Sequence, residues 1–256
     1  MAALAADLAA ESAVTRALVA GLDEAGWRTP TPAAGWDIAD QISHLAYFDE
    51  VTVQSAVHPE QFKAELAAAG DNVDPDTIAA RFRDRTGAQL LAWFEVARAE
   101  LIGTFAELDP RTRLPWFGPA MSAASSLTAR IMETWAHTQD IADALGATRE
   151  PTPRLRHVAH IGVGARAFSY AVHGKTPPPD PVRVELVAPD GARWTWGPED
   201  AENRVTGPAL DFCLLVTQRR HRDDLALAID GPAATEWMAI AQAFAGAAGT
   251  GRSPKG

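Results

Sequence analysis

Cysteine is nearly absent: Cys213, inside the apolar stretch FCLLV, is the single one in 256 residues. An intramolecular disulfide is therefore excluded, a buried structural thiol is the expected role, and a reducing cytoplasm fits. Positive charge is also scarce. The net charge is −10 and the isoelectric point about 5.1, which argues against nucleic acid or an anionic membrane as partner, since both select a basic surface. The basic run QRRHRDD meets two aspartates at once and reads as a solvated element end. No apolar run approaches the ~20 residues of a membrane-spanning helix. The opening MAALAADLAAESAV has no basic residue and carries Asp7 and Glu11, so it does not read as a secretory signal. There is no internal repeat.

What remains is an ordinary globular composition, 47% hydrophobic and 22% charged, long enough for one large domain or two smaller ones. Leu4, Leu8, Val14, Leu18 and Leu22 recur at helical spacing to near Gly26, and RTPTPAAGW is a connection. Asp37 caps a second helix with Asp40 at its third position, where a carboxylate suits the helix start. Ile38, Ile42 and Leu45 form one stripe of it, His44 and Phe48 another. After the polar stretch AAAGDNVD, Asp74 and Pro75 open a third helix that Leu90, Phe94, Ala97, Leu101, Phe105 and Leu108 continue. Pro110, Pro115 and Pro119 forbid helix in the next segment. A fourth helix is expected over 122–145, ending at Gly146, and a fifth over 152–173, with Val158, Ile161, Ala165, Phe168 and Val172 inward. GKTPPPDP marks a boundary. Beyond it come a hairpin around Pro189-Asp190-Gly191, a strand and helix across NRVTGPALDFCLLVTQR, a strand in DLALAIDG, a last helix in AATEWMAIAQAFAG and a loose tail. The fold class expected is mainly α with a smaller α+β domain: a helical bundle over 1–175, the small domain over 181–246 and a flexible tail over 247–256.

The segment METWAHTQD carries the chemistry. Glu133, His137 and Asp140 stand at i, i+4 and i+7, one face of a helix. Glu-x-x-x-His alone is common and can be a surface pair. Its place within a bundle helix changes that, because a buried carboxylate and imidazole need partners. His44 also lies mid-helix, and facing bundle helices can bring it to Glu133 and His137, as metal sites in bundles are built. Two histidines and a glutamate suit Zn²⁺ and leave a fourth position open, the mark of a catalytic site.

At this point the chain resembles a known family. TPAAGWDIADQISHLAYFDE and METWAHTQDIADALG are similar to the two helical motifs of the mycothiol-dependent maleylpyruvate isomerase-like proteins, within the DinB/YfiT-like superfamily. VTGPALDFCLLVTQRRHRDDLAL and WMAIAQAFAG resemble that family's small, sterol-carrier-like C-terminal domain. The resemblance spans nearly the whole chain. It implies a DinB-like four-helix bundle with an α+β domain, a divalent metal, zinc above others, on His44, Glu133 and His137, mycothiol as thiol co-substrate and an actinobacterial source.

A thiol at the open position of such a site loses its proton and can attack an electrophilic carbon. The activity implied is that of an isomerase, in which the thiolate adds, permits rotation and leaves, or of an S-transferase, in which it stays. A zinc-hydroxide hydrolase or lyase without thiol, and a non-enzymatic binder of a lipid or other small molecule, are the alternatives. Asp140, one turn beyond His137, is a candidate for orienting a ligand or serving as base, against a helix-interior carboxylate paired with arginine. Arg219 stands where related C-terminal domains often carry an arginine facing the site, and it would suit a carboxylate. His58, His157, His160, His173 and His221 read as surface or satisfied positions, and Trp36 and Trp135 as packing. The partner expected is a small-molecule substrate, with a homodimer left open.

Overall fold

The computed structural model describes residues 1–69 and 74–255 and divides into two compact units, Met1–Arg149 and Glu150–Gly256. Of the expected polar stretch AAAGDNVD, residues 70–73 lie outside the described residues. No helix among the described residues is long and apolar enough to cross a membrane.

The first unit contains α1 (Ala2–Val19), α2 (Glu24–Trp27), α3 (Ile38–Val57), α4 (Pro59–Ala69), α5 (Pro75–Ala80), α6 (Gly87–Ala106), the strand pair β1 (Arg113–Leu114) and β2 (Met121–Ser122), and α7 (Ala123–Ala144). Asp37 caps α3 as its sequence requires: its carboxylate accepts the Asp40 N–H at 2.9 Å, and Asp40 accepts the Asp37 N–H at 3.1 Å. Ser122 caps α7, and Gly146, with φ +63°, ends it.

Helices α1, α3, α6 and α7 form the bundle. One apolar cluster holds Val19, Ile42, Leu45, Leu90, Phe94 and Ile141, and another holds Leu8, Val53, Leu101, Phe105, Leu127 and Ile131. Along α1 and α7 the chain runs from the second cluster to the first, and along α3 and α6 from the first to the second. α1 and α7 therefore run one way and α3 and α6 the other. Between the clusters every helix contributes polar side chains: Ser12 and Thr15, Asp49, Arg98, Thr134 and Thr138. Arg98 donates to Asp49 (Nε–Oδ2 2.6 Å), Ser12 (2.7 Å) and Thr134 (3.0 Å), and Arg130 Nε donates to Asp49 Oδ1 at 3.1 Å. One carboxylate and two guanidiniums are thus fully buried in a hydrogen-bonded layer.

The third helix expected after Asp74 is broken. α5 stops at Ala80, and Thr86 caps α6 anew, with Gln89 completing a capping box. Arg28 Nη2 donates to the Arg83 and Arg85 carbonyls (3.0 and 2.8 Å), pinning the intervening turn. Gly87 lies so close to the Trp27 indole that a Cβ there would fall 2.2 Å from it. The amphipathic run over 90–105 is correct, but its start is fixed by contacts from α2 that periodicity does not reveal.

The second unit contains α8 (Leu155–Gly164), α9 (Arg166–Val172), β3 (Val182–Val187), β4 (Arg193–Trp196), β5 (Asn203–Pro208), α10 (Ala209–Val216), β6 (Ala228–Asp230) and α11 (Pro232–Ile240). Its sheet has the order β4-β3-β5-β6, with β3 and β5 parallel and the edge pairs antiparallel. The expected hairpin, strands and helices are present. Cys213 is buried and unpaired by disulfide, and burial pushes its thiol far up from its usual range.

Three expectations differ here. The compact units divide at Arg149/Glu150, ahead of the boundary expected near 175, because α8 packs on α10: a Cβ at Gly162 would meet Val216 at 2.7 Å. The expected fifth helix is interrupted at Ala165, giving α8 and α9. The break shifts the helical phase, so Phe168 is 38% exposed and Ser169 and Tyr170 turn inward instead. Finally, the tail expected to be loose lacks regular structure but is tied down: Gly249 N–H donates to Gln242, Gly251 N–H to Gln218 and Lys255 N–H to Asp224.

Candidate metal centre

Antiparallel packing of α3 on α7 sets His44 beside Glu133 and His137, at the level where both helices pass from apolar cluster to polar layer. His137 Nε2 is 3.2 Å and His44 Nε2 3.7 Å from the same oxygen, Glu133 Oε2. The three donor atoms lie within 4.8 Å of one another, and among the described residues this is the group of histidine, cysteine and acidic side chains that could hold a metal ion. Ligands about 2.1 Å from one zinc sit about 3.4 Å apart at the tetrahedral angle, so the two distances to Glu133 Oε2 bracket the spacing a shared ion needs.

A chain of hydrogen bonds sets the His137 tautomer. The Trp36 carbonyl can only accept, so Thr31 Oγ1 donates to it (2.9 Å). Thr31 Oγ1 then accepts from Gln41 Nε2 (2.9 Å), which turns Gln41 Oε1 toward His137 Nδ1 at 2.5 Å. An amide oxygen accepts, so Nδ1 carries the proton. Nε2 is then the lone-pair nitrogen of the neutral ring, and it faces Glu133 Oε2. A proton on Nε2, donated to the carboxylate, or a metal ion held between the two satisfies this contact.

Electrostatics hold His44 and Glu133 in the ligand-ready form. Burial, with the neighbouring His137 adding to it, lowers the His44 pKa from 6.5 to about 3, against the opposing pull of Glu133. Burial would raise the Glu133 pKa, but hydrogen bonding to His137 and His44 and their charges hold it well below the usual carboxylate range. Near neutral pH His44 is neutral and Glu133 ionised. His44 Nδ1 is buried without a hydrogen-bond partner. Trp36 stacks on His137 (centroids 5.9 Å, planes 22° apart) and tilts against His44 (5.3 Å), and Phe48 flanks His44 at 4.6 Å.

The sequence brings forward His44, Glu133 and His137, and the structure gathers them. Asp140 is fully buried on α7. Arg219 follows α10 in the second unit, half-buried, with Nη1 donating to the Thr217 carbonyl at 2.6 Å. Asp40 serves the helix start, as expected, and also binds Arg83 (2.9 Å). Sequence reasoning missed Gln41 and the Asp49–Arg98–Arg130 group. Both left a signal: Gln41 is polar beside Ile38, Ile42 and Leu45, and Arg98 interrupts the Phe94–Leu101–Phe105 stripe.

Residues 8–142 match the family described as the mycothiol maleylpyruvate isomerase N-terminal domain, and the chain belongs to this family. Residues 178–228 match a second family, described as wyosine base formation. An uncharacterised protein of Mycobacterium tuberculosis, from strains CDC 1551 and H37Rv, is 49% identical over 250 residues, covering 96% of this chain and 97% of its own. Among solved structures, a mycothiol-dependent maleylpyruvate isomerase shares the fold with a TM-score of 0.58 at 17% identity, over 88% of this chain and 91% of that one. A histidine-to-alanine mutant of that isomerase gives 0.59 at the same identity and coverage. The DinB-like fold expected from the sequence is therefore present.

Proposed function

We propose that the protein is a metal- and mycothiol-dependent enzyme that isomerises an electrophilic small molecule or transfers the thiol to it, with His44, Glu133 and His137 holding a zinc ion. Family membership and the names of the structural neighbours support the thiol and the isomerase class. The observation that carries the metal is the convergence of the His44, Glu133 and His137 donor atoms within 4.8 Å of one another, with the His137 ring oriented through Gln41. When bound, zinc supplies an open position at which a thiol gives up its proton and becomes a nucleophile.

The chain's own residues do the rest. Glu133 and two neutral imidazoles offset only one of two positive charges, which favours an anionic partner. Gln41 holds the His137 ring in its productive tautomer. Trp36 and Phe48 shield the imidazoles from water. Asp140 is proposed to orient the site or accept a proton, and Arg219 to receive a carboxylate of substrate or thiol.

The rate at which mycothiol is alkylated by a small electrophile such as monochlorobimane tests this reading. The zinc-loaded protein is expected to accelerate it at least about tenfold, and His137→Ala to abolish the acceleration together with zinc binding. Conversion of maleylpyruvate without a thiol conjugate would mark the isomerase, and an accumulating conjugate the transferase. Equal rates with and without protein, for both electrophiles, would contradict the proposal.

A further inference from the structure

The second unit contains a cavity of about 360 Å³ that the metal-centre reading does not use. It opens where the end of α10, the end of α11 and the tail meet. Among the described residues, three guanidiniums line it, Arg220, Arg222 and Arg252, with one carboxylate, Asp223. The chain as a whole carries −10, so this concentration of positive charge runs against its composition. The QRRHRDD run, which reads in sequence as a solvated element end, supplies most of it.

Arg222 is the informative member. It starts the 3-10 turn Arg222–Asp224 and is half-buried at the cavity wall. Its guanidinium has no hydrogen-bond or ion-pair partner among the described residues. His173, also in the wall, donates from Nδ1 to the Ser169 carbonyl at 2.8 Å, which leaves Nε2 as its remaining polar atom. The other side of the cavity is apolar, formed by Leu215, Met238 and Ile240.

The wall is also deliberately assembled. Gln218 has φ +57°, the one non-glycine residue among those described with a positive value, a conformation that costs energy for a side-chain-bearing residue. In return its amide donates to the Ala241 carbonyl (3.2 Å) and accepts the Gly251 N–H (3.2 Å), binding α11's end and the tail to the end of α10. Gly249 is threaded so closely past Gln218 that a Cβ would fall 2.0 Å from its amide oxygen.

We infer that this cavity is a binding site for a small amphipathic oxyanion, its carboxylate or phosphate head held by Arg222 beside Arg220 and Arg252, its short apolar body resting on Leu215, Met238 and Ile240. The inference stands apart from the metal centre and survives its failure.

Titration of EDTA-treated, full-length protein with hexanoate tests it, since removing metal prevents the carboxylate from binding an ion at the other site. Calorimetry is expected to show one saturable site with Kd of about 1–5 mM, in keeping with so small a ligand. Hexanol and inorganic phosphate, each carrying half of the proposed recognition, should bind at least about tenfold more weakly. Amide resonances of Gly249, Thr250 and Gly251 should shift during the titration. Arg222→Ala should weaken hexanoate about tenfold without altering the melting temperature, and Arg222→Lys should fall between. Hexanol binding as well as hexanoate, resonance shifts confined to other segments, or an Arg222→Ala protein with unchanged affinity would each overturn the inference.

Discussion

His137 is constrained at both ring nitrogens, and Gln41 is the reason. Removing the amide frees the ring to rotate and to change tautomer. Gln41→Ala is therefore expected to weaken zinc about 10–100-fold, as loss of a ligand-orienting partner generally does, while leaving the helical circular dichroism intact. Gln41→Glu keeps an acceptor toward Nδ1 and should recover much of the affinity; competition with a chelator of known strength measures both. His44 and Glu133 make a second prediction at this scale. In metal-free protein, His44 titrates at about 3 when folded and near its ordinary 6.5 when unfolded. Between those values the unfolded chain binds the extra proton, so stability is complete above about pH 6.5 and is lost as pH falls. Glu133, whose folded pKa is depressed, acts in the same direction below its unfolded value. Thermal melts in EDTA should show the melting temperature falling from pH 6.5 downward. His44→Leu should flatten the segment between about pH 5.5 and 6.5, where the carboxylate does not titrate. A slope unchanged by that substitution would contradict the assignment.

At the scale of helices, the bundle is organised by one polar layer between two apolar clusters. Asp49 is the shared partner of Arg98 and Arg130, all at most 3% exposed. Asp49→Ala would leave two buried guanidiniums without their carboxylate and should cost about 3–5 kcal/mol, read from urea unfolding. A loss below about 1 kcal/mol would mean that the layer is solvated in solution. The layer shows why sequence succeeded for some elements and failed for others. α3 and α7 were legible because their caps are local: Asp37 with Asp40, Ser122 and Gly146 sit within a few residues of the bonds they make. The start of α6 was not, because Arg28 and Trp27 set it from nearly sixty residues away. α9 was misread in phase because a single irregular residue, Ala165, resets a periodicity that looks continuous in Val158, Ile161 and Ala165. Of the site, the three donors were visible as mid-helix polar residues. Gln41 was overlooked because an uncharged amide on an apolar stripe advertises itself less than a histidine does.

At the scale of the molecule, both matched stretches, 8–142 and 178–228, fall within separate compact units, and the mycobacterial relative spans both. The tract GKTPPPDP suggested the division because proline-rich composition marks stiff connections. The actual division precedes α8, whose Gly162 permits close packing on α10. The central claim is that this chain binds zinc through His44, Glu133 and His137 and there takes up mycothiol as a thiolate. Calorimetric titration of zinc-loaded protein with mycothiol near pH 7, in two buffers of different ionisation enthalpy and with zinc counted by elemental analysis, addresses it most directly. The account predicts one zinc per chain and one thiol bound with release of about one proton, both lost in His137→Ala. Protein that retains no zinc, or zinc-loaded protein that binds no thiol, would contradict it.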